Sequence, residues 1–234
     1  MTIPEEILRR LREKDPALTR LNLTRHDPDL TDVDMGYLAV ALKDNKILKS
    51  LILSENAIGN EGAKILAQAL STTNVTTLDL SLNKISDTGA KALFEISSLR
   101  HLILGGNSIG NLGVTNIRDN NTLRILIIDG NDINDDGIQA FLHNTSLTEL
   151  VFDDDKVNSG LVTQIKEHTQ NNIRGVVREF LLRALEPVGL LSAEARDSFA
   201  QELHQAIDAK LRERPSVTST PFFDSRISVP GHPQ

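Results

Sequence analysis

One order of apolar residues and asparagine recurs along this chain and restricts it to folds built from stacked units. Leu48, Leu51, Leu53, Asn56, Ile58 and Gly62 set the order. Val75, Leu78, Leu80, Asn83, Ile85 and Gly89 repeat it, and so do Leu99, Leu102, Leu104, Asn107, Ile109 and Gly113. Leu123, Leu126, Ile128, Asn131, Ile133 and Gly137 make a fourth copy. A fifth starts at Leu147, Leu150 and Phe152 but carries Asp155 in place of asparagine, with Val157 after it. First positions lie 27, 24, 24 and 24 residues apart (75−48, 99−75, 123−99, 147−123). A unit this short cannot bury its own apolar face and must stack on its neighbours.

Each part of the unit has a physical role. The leucines of the LxL core alternate inward on a short strand, and the residue between them faces out. Asparagine carries a donor and an acceptor, so it can satisfy backbone groups where the chain leaves the strand. Ala63, Leu66 and Leu70 fall at helical spacing and close the core from the other side. The glycine that precedes them allows close backbone approach where the helix begins. The expected fold class is α/β: a solenoid with short parallel strands on its concave face, helices on its convex face and helical caps.

The spacing also predicts the domain limits. Residues 1–17 read as an N-terminal capping helix, with Thr2 and Glu5 as a capping box and Pro4 in the first turn. Residues 18–172 hold the repeats, beginning with a degenerate coil of Leu18, Leu21, Leu23 and Leu30. Residues 173–214 read as a C-terminal helical cap, where Ala195, Phe199, Leu203, Ile207 and Leu211 line one helix face. That helix either packs on the last coil or binds a partner. Residues 215–234 hold four of the eight prolines and read as a disordered tail.

Composition removes several function classes. A formal charge of −7 argues against a nucleic-acid surface. The absence of cysteine eliminates thiol chemistry and favours a reducing compartment. The N-terminus has no signal-peptide pattern, and no apolar run nears the roughly 20 residues that span a bilayer. The expectation is a cytoplasmic-type monomer without membrane insertion. None of the six histidines has a metal-binding spacing, and GGNSIGNLG lacks the lysine of a phosphate loop. No catalytic, cofactor or metal residues are expected. Asp129 and Asp153–Asp155 form either a hard-cation site or a solvated acidic edge. The sequons at Asn22, Asn74, Asn120 and Asn144 read as by-products of the repeat.

The LxxLxLxxNxIxxxG units, clearest in AIGNEGAKILAQAL, resemble ribonuclease-inhibitor-type leucine-rich repeats from Leu18 to Asn172. That resemblance implies recognition of another protein. LRRLREKDPALTRLNL is similar to the start of the tropomodulin repeat domain, which implies binding to actin pointed ends. Few short coils, no cysteine caps and a proline- and serine-containing tail are similar to repeat effectors that intracellular bacteria deliver into host cells. This implies a protein acting in a host cytosol, and without cysteine the thioester chemistry of ligase effectors is excluded, so a non-enzymatic role is expected.

Positions between the paired core residues are Asn22, Ile52, Asp79, Ile103, Ile127 and Val151. If coils stack in register, Ile103, Ile127 and Val151 make an apolar row with arginine on one side and acid on the other. The expected partner-binding residues are Ile52, Asp79, Arg100, His101, Ile103, Arg124, Ile125, Ile127, Asp129, Val151 and Asp153. Two alternatives stay open: the C-terminal helices cover the row, or they carry an enzyme site.

Overall fold

Every copy of the repeat forms a three-residue strand: β1 (Arg20–Asn22), β2 (Ser50–Ile52), β3 (Thr77–Asp79), β4 (His101–Ile103), β5 (Ile125–Ile127) and β6 (Glu149–Val151). The computed structural model describes residues 2–185 and 205. The strands form one parallel sheet in chain order. Leu21, Leu51, Leu78, Leu102, Leu126 and Leu150 align along its middle row. These leucines point into the core, so the first and third residues of each strand share the opposite face.

Connecting segments cover the other side: α2 (Asp32–Leu42), α3 (Asn60–Leu70), α4 (Asp87–Phe94), a 3-10 segment (Asn111–Asp119) and α5 (Asp135–Ile138), which continues as 3-10 turns through His143. Strands pair about 4.8 Å apart whereas helices need roughly 8–10 Å, which sets the sheet on the inside of the curve. In the first full copy Leu48, Leu51, Leu53, Ile58, Ala63, Leu66 and Leu70 are all fully buried. The third copy departs from a regular α-helix for a local reason. Gly113, Val114, Thr115 and Asn116 are weak helix formers, and 3-10 geometry spans more length per residue in a shorter repeat.

The N-terminal cap is α1 (Glu5–Arg12), which buries Leu8 and Leu11, with Ile3 buried just ahead of it. The expected Thr2–Glu5 capping box does not form. Such a box needs the helix to begin at Ile3, but that side chain is 1% exposed in the core and the helix starts after Pro4. Thr2 N–H instead donates to Asp34 Oδ1 at 3.1 Å. Asp34 builds the capping box that does occur, with Thr31 at the start of α2.

At the other end, α6 (Ser159–Leu185) buries Val162 and Ile165. Its His168 Nε2 lies 2.6 Å from the Asn144 carbonyl, and Asn172 Nδ2 donates to the Leu147 carbonyl at 2.8 Å. The expected division after residue 172 therefore falls inside an unbroken helix. Two units emerge from the chain's packing, Met1–Gly175 and Val176–Gln234. The helix expected around 195–211, apart from residue 205, and the tail at 215–234 lie outside the described residues.

Candidate protein-binding face

What holds the strand face in shape is a run of asparagines, buried at 56, 83 and 131 and half-buried at 107. Asn83 donates to the carbonyls of Leu53 and Leu80 and accepts from Ile58 N–H, all at 3.0–3.1 Å. Asn56, Asn107 and Asn131 repeat the arrangement, accepting from Leu30, Ile85 and Ile109 N–H respectively. Each asparagine thus ties its own turn to the preceding coil. The residue before each one turns through positive φ: Glu55 at 55°, Leu82 at 53°, Gly106 at 67° and Gly130 at 65°. At the fifth coil the run ends. Asp155 is exposed, and Lys156 Nζ caps the Asn131 carbonyl at 2.8 Å.

Register then sets the outward rows. Asn22, Ile52, Asp79, Ile103, Ile127 and Val151 are successive partners, as are Arg20, Ser50, Thr77, His101, Ile125 and Glu149. Ile103, Ile125, Ile127 and Val151 are half-buried and adjoin one another across β4, β5 and β6. His101 is exposed, with Nδ1 3.3 Å from Thr77 Oγ1.

Two expected contact residues are not available. Ile52 and Asp79 are only 3% and 4% exposed, so neither offers the solvent-facing side chain anticipated for it. Each is flanked by a rung on both sides, and the Asp79 carboxylate turns back to accept from Ser81 N–H and Oγ at 2.9 and 2.7 Å. Burial raises the Asp79 pKa despite those hydrogen bonds.

Charges flank the apolar rows. Arg100 and Arg124 sit one residue before β4 and β5 and bond to loop carbonyls through Nη1. Beyond the strands lie half-buried Asp129 and Asp153. Asp153 accepts from Gly130 N–H and Lys156 Nζ, both at 2.9 Å. Burial pushes its pKa up, but these donors outweigh burial and hold it below the usual carboxylate range. Asp154 pairs with Lys166 at 3.1 Å. The acidic cluster is thus divided among separate partners. Among the described residues no group of three or more histidines or carboxylates is placed to hold a metal. Nor is any helix there long and apolar enough to cross a membrane.

Sequence reasoning missed a second set of inter-coil ties. Asp32 accepts from Gly59 N–H, Asn60 from Ser86 and Gly89, Asp87 from Gly110, Asn111 from Asn134, and Asp135 from Asn158, at 2.6–3.0 Å. Its signature is an aspartate or asparagine two residues before the repeat glycine, at 60, 87, 111 and 135. Asn45, Asn120 and Asn144 are a third set, each three residues before the first leucine of a coil and accepting its N–H. Burial of Asn120 and Asn144 closes those two sequons in the folded protein. The outer face of α2 is also unexpected: Val33, Tyr37 and Val40, spaced i, i+4, i+7, are exposed.

Comparison with known proteins agrees with this architecture. The Leucine Rich repeat family matches residues 44–67, 72–94, 96–117 and 119–142. Human (Homo sapiens) NACHT, LRR and PYD domains-containing protein 14 is 34% identical over 103 residues, 42% of this chain and 9% of that protein. Leucine-rich repeat-containing protein 45 of Gallus gallus is 33% identical over 108 residues, 44% of this chain and 16% of that protein. The chain thus spans a small fraction of either relative's length. Among solved structures, Leiomodin-1 Actin-Binding Site 2 aligns over 80% of this chain and 99% of its own, with TM-score 0.56 and 19% identity. The tropomodulin C-terminal domain of Caenorhabditis elegans covers 76% of this chain and 97% of its own, with TM-score 0.52 and 17% identity. Sheet, register and family match together make this chain an α/β leucine-rich-repeat solenoid, with four matched repeats between residues 44 and 142.

Proposed function

We propose that the strand face binds a protein partner without catalysis, through an apolar centre of Ile103, Ile125, Ile127 and Val151 flanked by charge. The observation that carries this reading is the in-register placement of Ile103, Ile127 and Val151, with Ile125 two residues before Ile127 on the same strand face, all four half-buried yet outside the core. Water gains on leaving such a strip, and a rim of charge fixes the register of whatever displaces it. The test is Ile103→Asp with Ile127→Asp. Both side chains lie opposite the core leucines, so the expected result is a native-like melt with capture of the partner lost. The loss should be on the order of 1–2 kcal/mol or more per contact. Undiminished capture from cell lysate by the folded double variant would remove the reading.

A second reading is favoured by one observation, the match to nearly the full length of a domain named for actin binding. On that reading the chain binds actin. Co-sedimentation with actin filaments, and elongation assays at their pointed ends, decide it: no effect at saturating protein sets it aside. The cellular setting we propose, delivery of a bacterial protein to a host cytosol, rests on the short coils, the absence of cysteine and the composition of residues 215–234. Equal translocation of full-length protein and a chain ending at Arg214 would reject a role for that tail in export.

A further inference from the structure

The two arginines at the edge of the strand face share one pose. Arg100 Nη1 donates to the carbonyls of Ser97 and Leu99 at 3.1 and 3.0 Å. Arg124 Nη1 reaches the equivalent carbonyls, Asn121 and Leu123, at 3.4 Å each, and also Ser146 at 3.2 Å. Arg124 N–H bonds the Arg100 carbonyl at 2.8 Å, so the two residues occupy neighbouring rungs. Equivalent poses on neighbouring rungs set the guanidinium groups about one strand spacing, ~4.8 Å, apart.

Two like charges at that separation oppose each other. Burial, and next the Arg100 charge, depress the Arg124 pKa. Among the described residues no carboxylate lies within ion-pair distance of either arginine, although seven other Lys and Arg side chains have one: Arg9, Arg10, Arg12, Arg25, Lys64, Lys156 and Lys166. The loop carbonyls hold each Nη1, leaving Nη2 and Nε of both forks to meet an oxyanion. Ile125 adjoins this pair in sequence and begins the apolar strip.

From this geometry we infer that Arg100 and Arg124 seat a carboxylate of the partner, so that an acidic side chain enters at this edge while apolar neighbours lie on Ile103, Ile125 and Ile127. The inference rests on the strand-face reading and adds a polarity to it: the partner segment is acidic at its arginine-facing end. A carboxylate bridging both forks neutralises the repulsion and gains paired charge-assisted hydrogen bonds.

The probe is glutarate, titrated at constant ionic strength against chloride, with the arginine Nε–H resonances as readout. Saturable shifts at Arg100 and Arg124 with glutarate, absent with chloride and lost at the remaining arginine in each single variant, Arg100→Gln or Arg124→Gln, are the expected result. The Arg100→Gln, Arg124→Gln double variant gives up the repulsion and the loop-carbonyl bonds together, which offset one another, so it should keep a native-like melt while partner capture falls about tenfold or more. Absent shifts, shifts of unchanged affinity at the remaining arginine of either single variant, or phosphate binding tenfold tighter than glutarate would overturn the carboxylate assignment. The Ile103→Asp, Ile127→Asp protein separates the two ideas. If the glutarate response fails while that variant still abolishes capture, only the arginine seat is wrong. If capture survives in that variant but glutarate binds, the apolar strip is wrong.

Discussion

Asn107 joins two coils through one amide: Nδ2 donates to the carbonyls of Leu80 and Leu104, and Oδ1 accepts from Ile85 N–H. Leucine has similar volume but leaves those groups without partners. Asn107→Leu should therefore cost roughly 1–3 kcal/mol in urea unfolding, while Asp155→Leu, at an exposed position past the last rung of the ladder, should cost far less. Equal shifts would show that the ladder does not hold the turns. Asp79 is the opposite kind of residue, polar and buried at a net cost. Its pKa is raised, so the folded state binds a proton more readily than the unfolded chain and is penalised where both are ionised. The penalty is present above the folded pKa and vanishes once pH falls below the unfolded value. Asp79→Asn keeps an oxygen acceptor for Ser81 and removes the charge. It should raise Tm at pH 7, with the gain shrinking towards about pH 3.5, near or below the ordinary carboxylate pKa. A gain constant with pH would show that ionisation is not its source.

Elements are joined across coils by the tie that begins each convex segment. Asp87 Oδ1 accepts from Gly110 N–H at 2.6 Å, and a Cβ on Gly113 would stand 2.6 Å from that same oxygen. Gly113→Ala should thus lose the tie or push α4 away from the next coil, costing roughly 1–3 kcal/mol. Combined with Asp87→Ala the loss should be smaller than the sum, because both changes break one contact. Strict additivity in denaturant melts would disprove the coupling. The rungs themselves were legible in the sequence because the LxL spacing and the asparagine each answer a local demand, inward packing or turn satisfaction. The Asp/Asn ties were equally present, two residues before each glycine, but their meaning depends on a neighbouring coil. Burial of Ile52 and Asp79 was not legible. Alternation fixes which face a side chain takes, and not how closely its neighbours on that face approach it. For the same reason the register of the half-buried Ile103–Ile127–Val151 row could be read, while the shared pose of Arg100 and Arg124 depends on how the loops before β4 and β5 fold.

At the scale of the whole repeat array, each coil touches only its neighbours, so stability is close to a sum of coil and interface contributions. Those contributions fall towards the C-terminal end. Leu78, Leu80, Leu102 and Leu104 are fully buried, whereas Leu150 and Phe152, their counterparts in the fifth coil, are only partly so. The asparagine ladder ends at Asn131, and α6 replaces it with His168 and Asn172 contacts to two carbonyls. Opening should therefore start at β6 and travel inward. Four amides report it, because each donates to the next rung at 2.8–2.9 Å: Leu53 to Asp79, Leu80 to Ile103, Leu104 to Ile127 and Ile128 to Val151. Native-state hydrogen exchange should find Ile128 N–H about tenfold or more less protected than Leu80 N–H, with Leu104 between them. Such fraying would also loosen Val151, one quarter of the apolar strip, so a bound partner should raise protection most at Ile128. Uniform protection across the four amides would mean that the array opens as one unit, and that the weak fifth coil is held by something other than the contacts described.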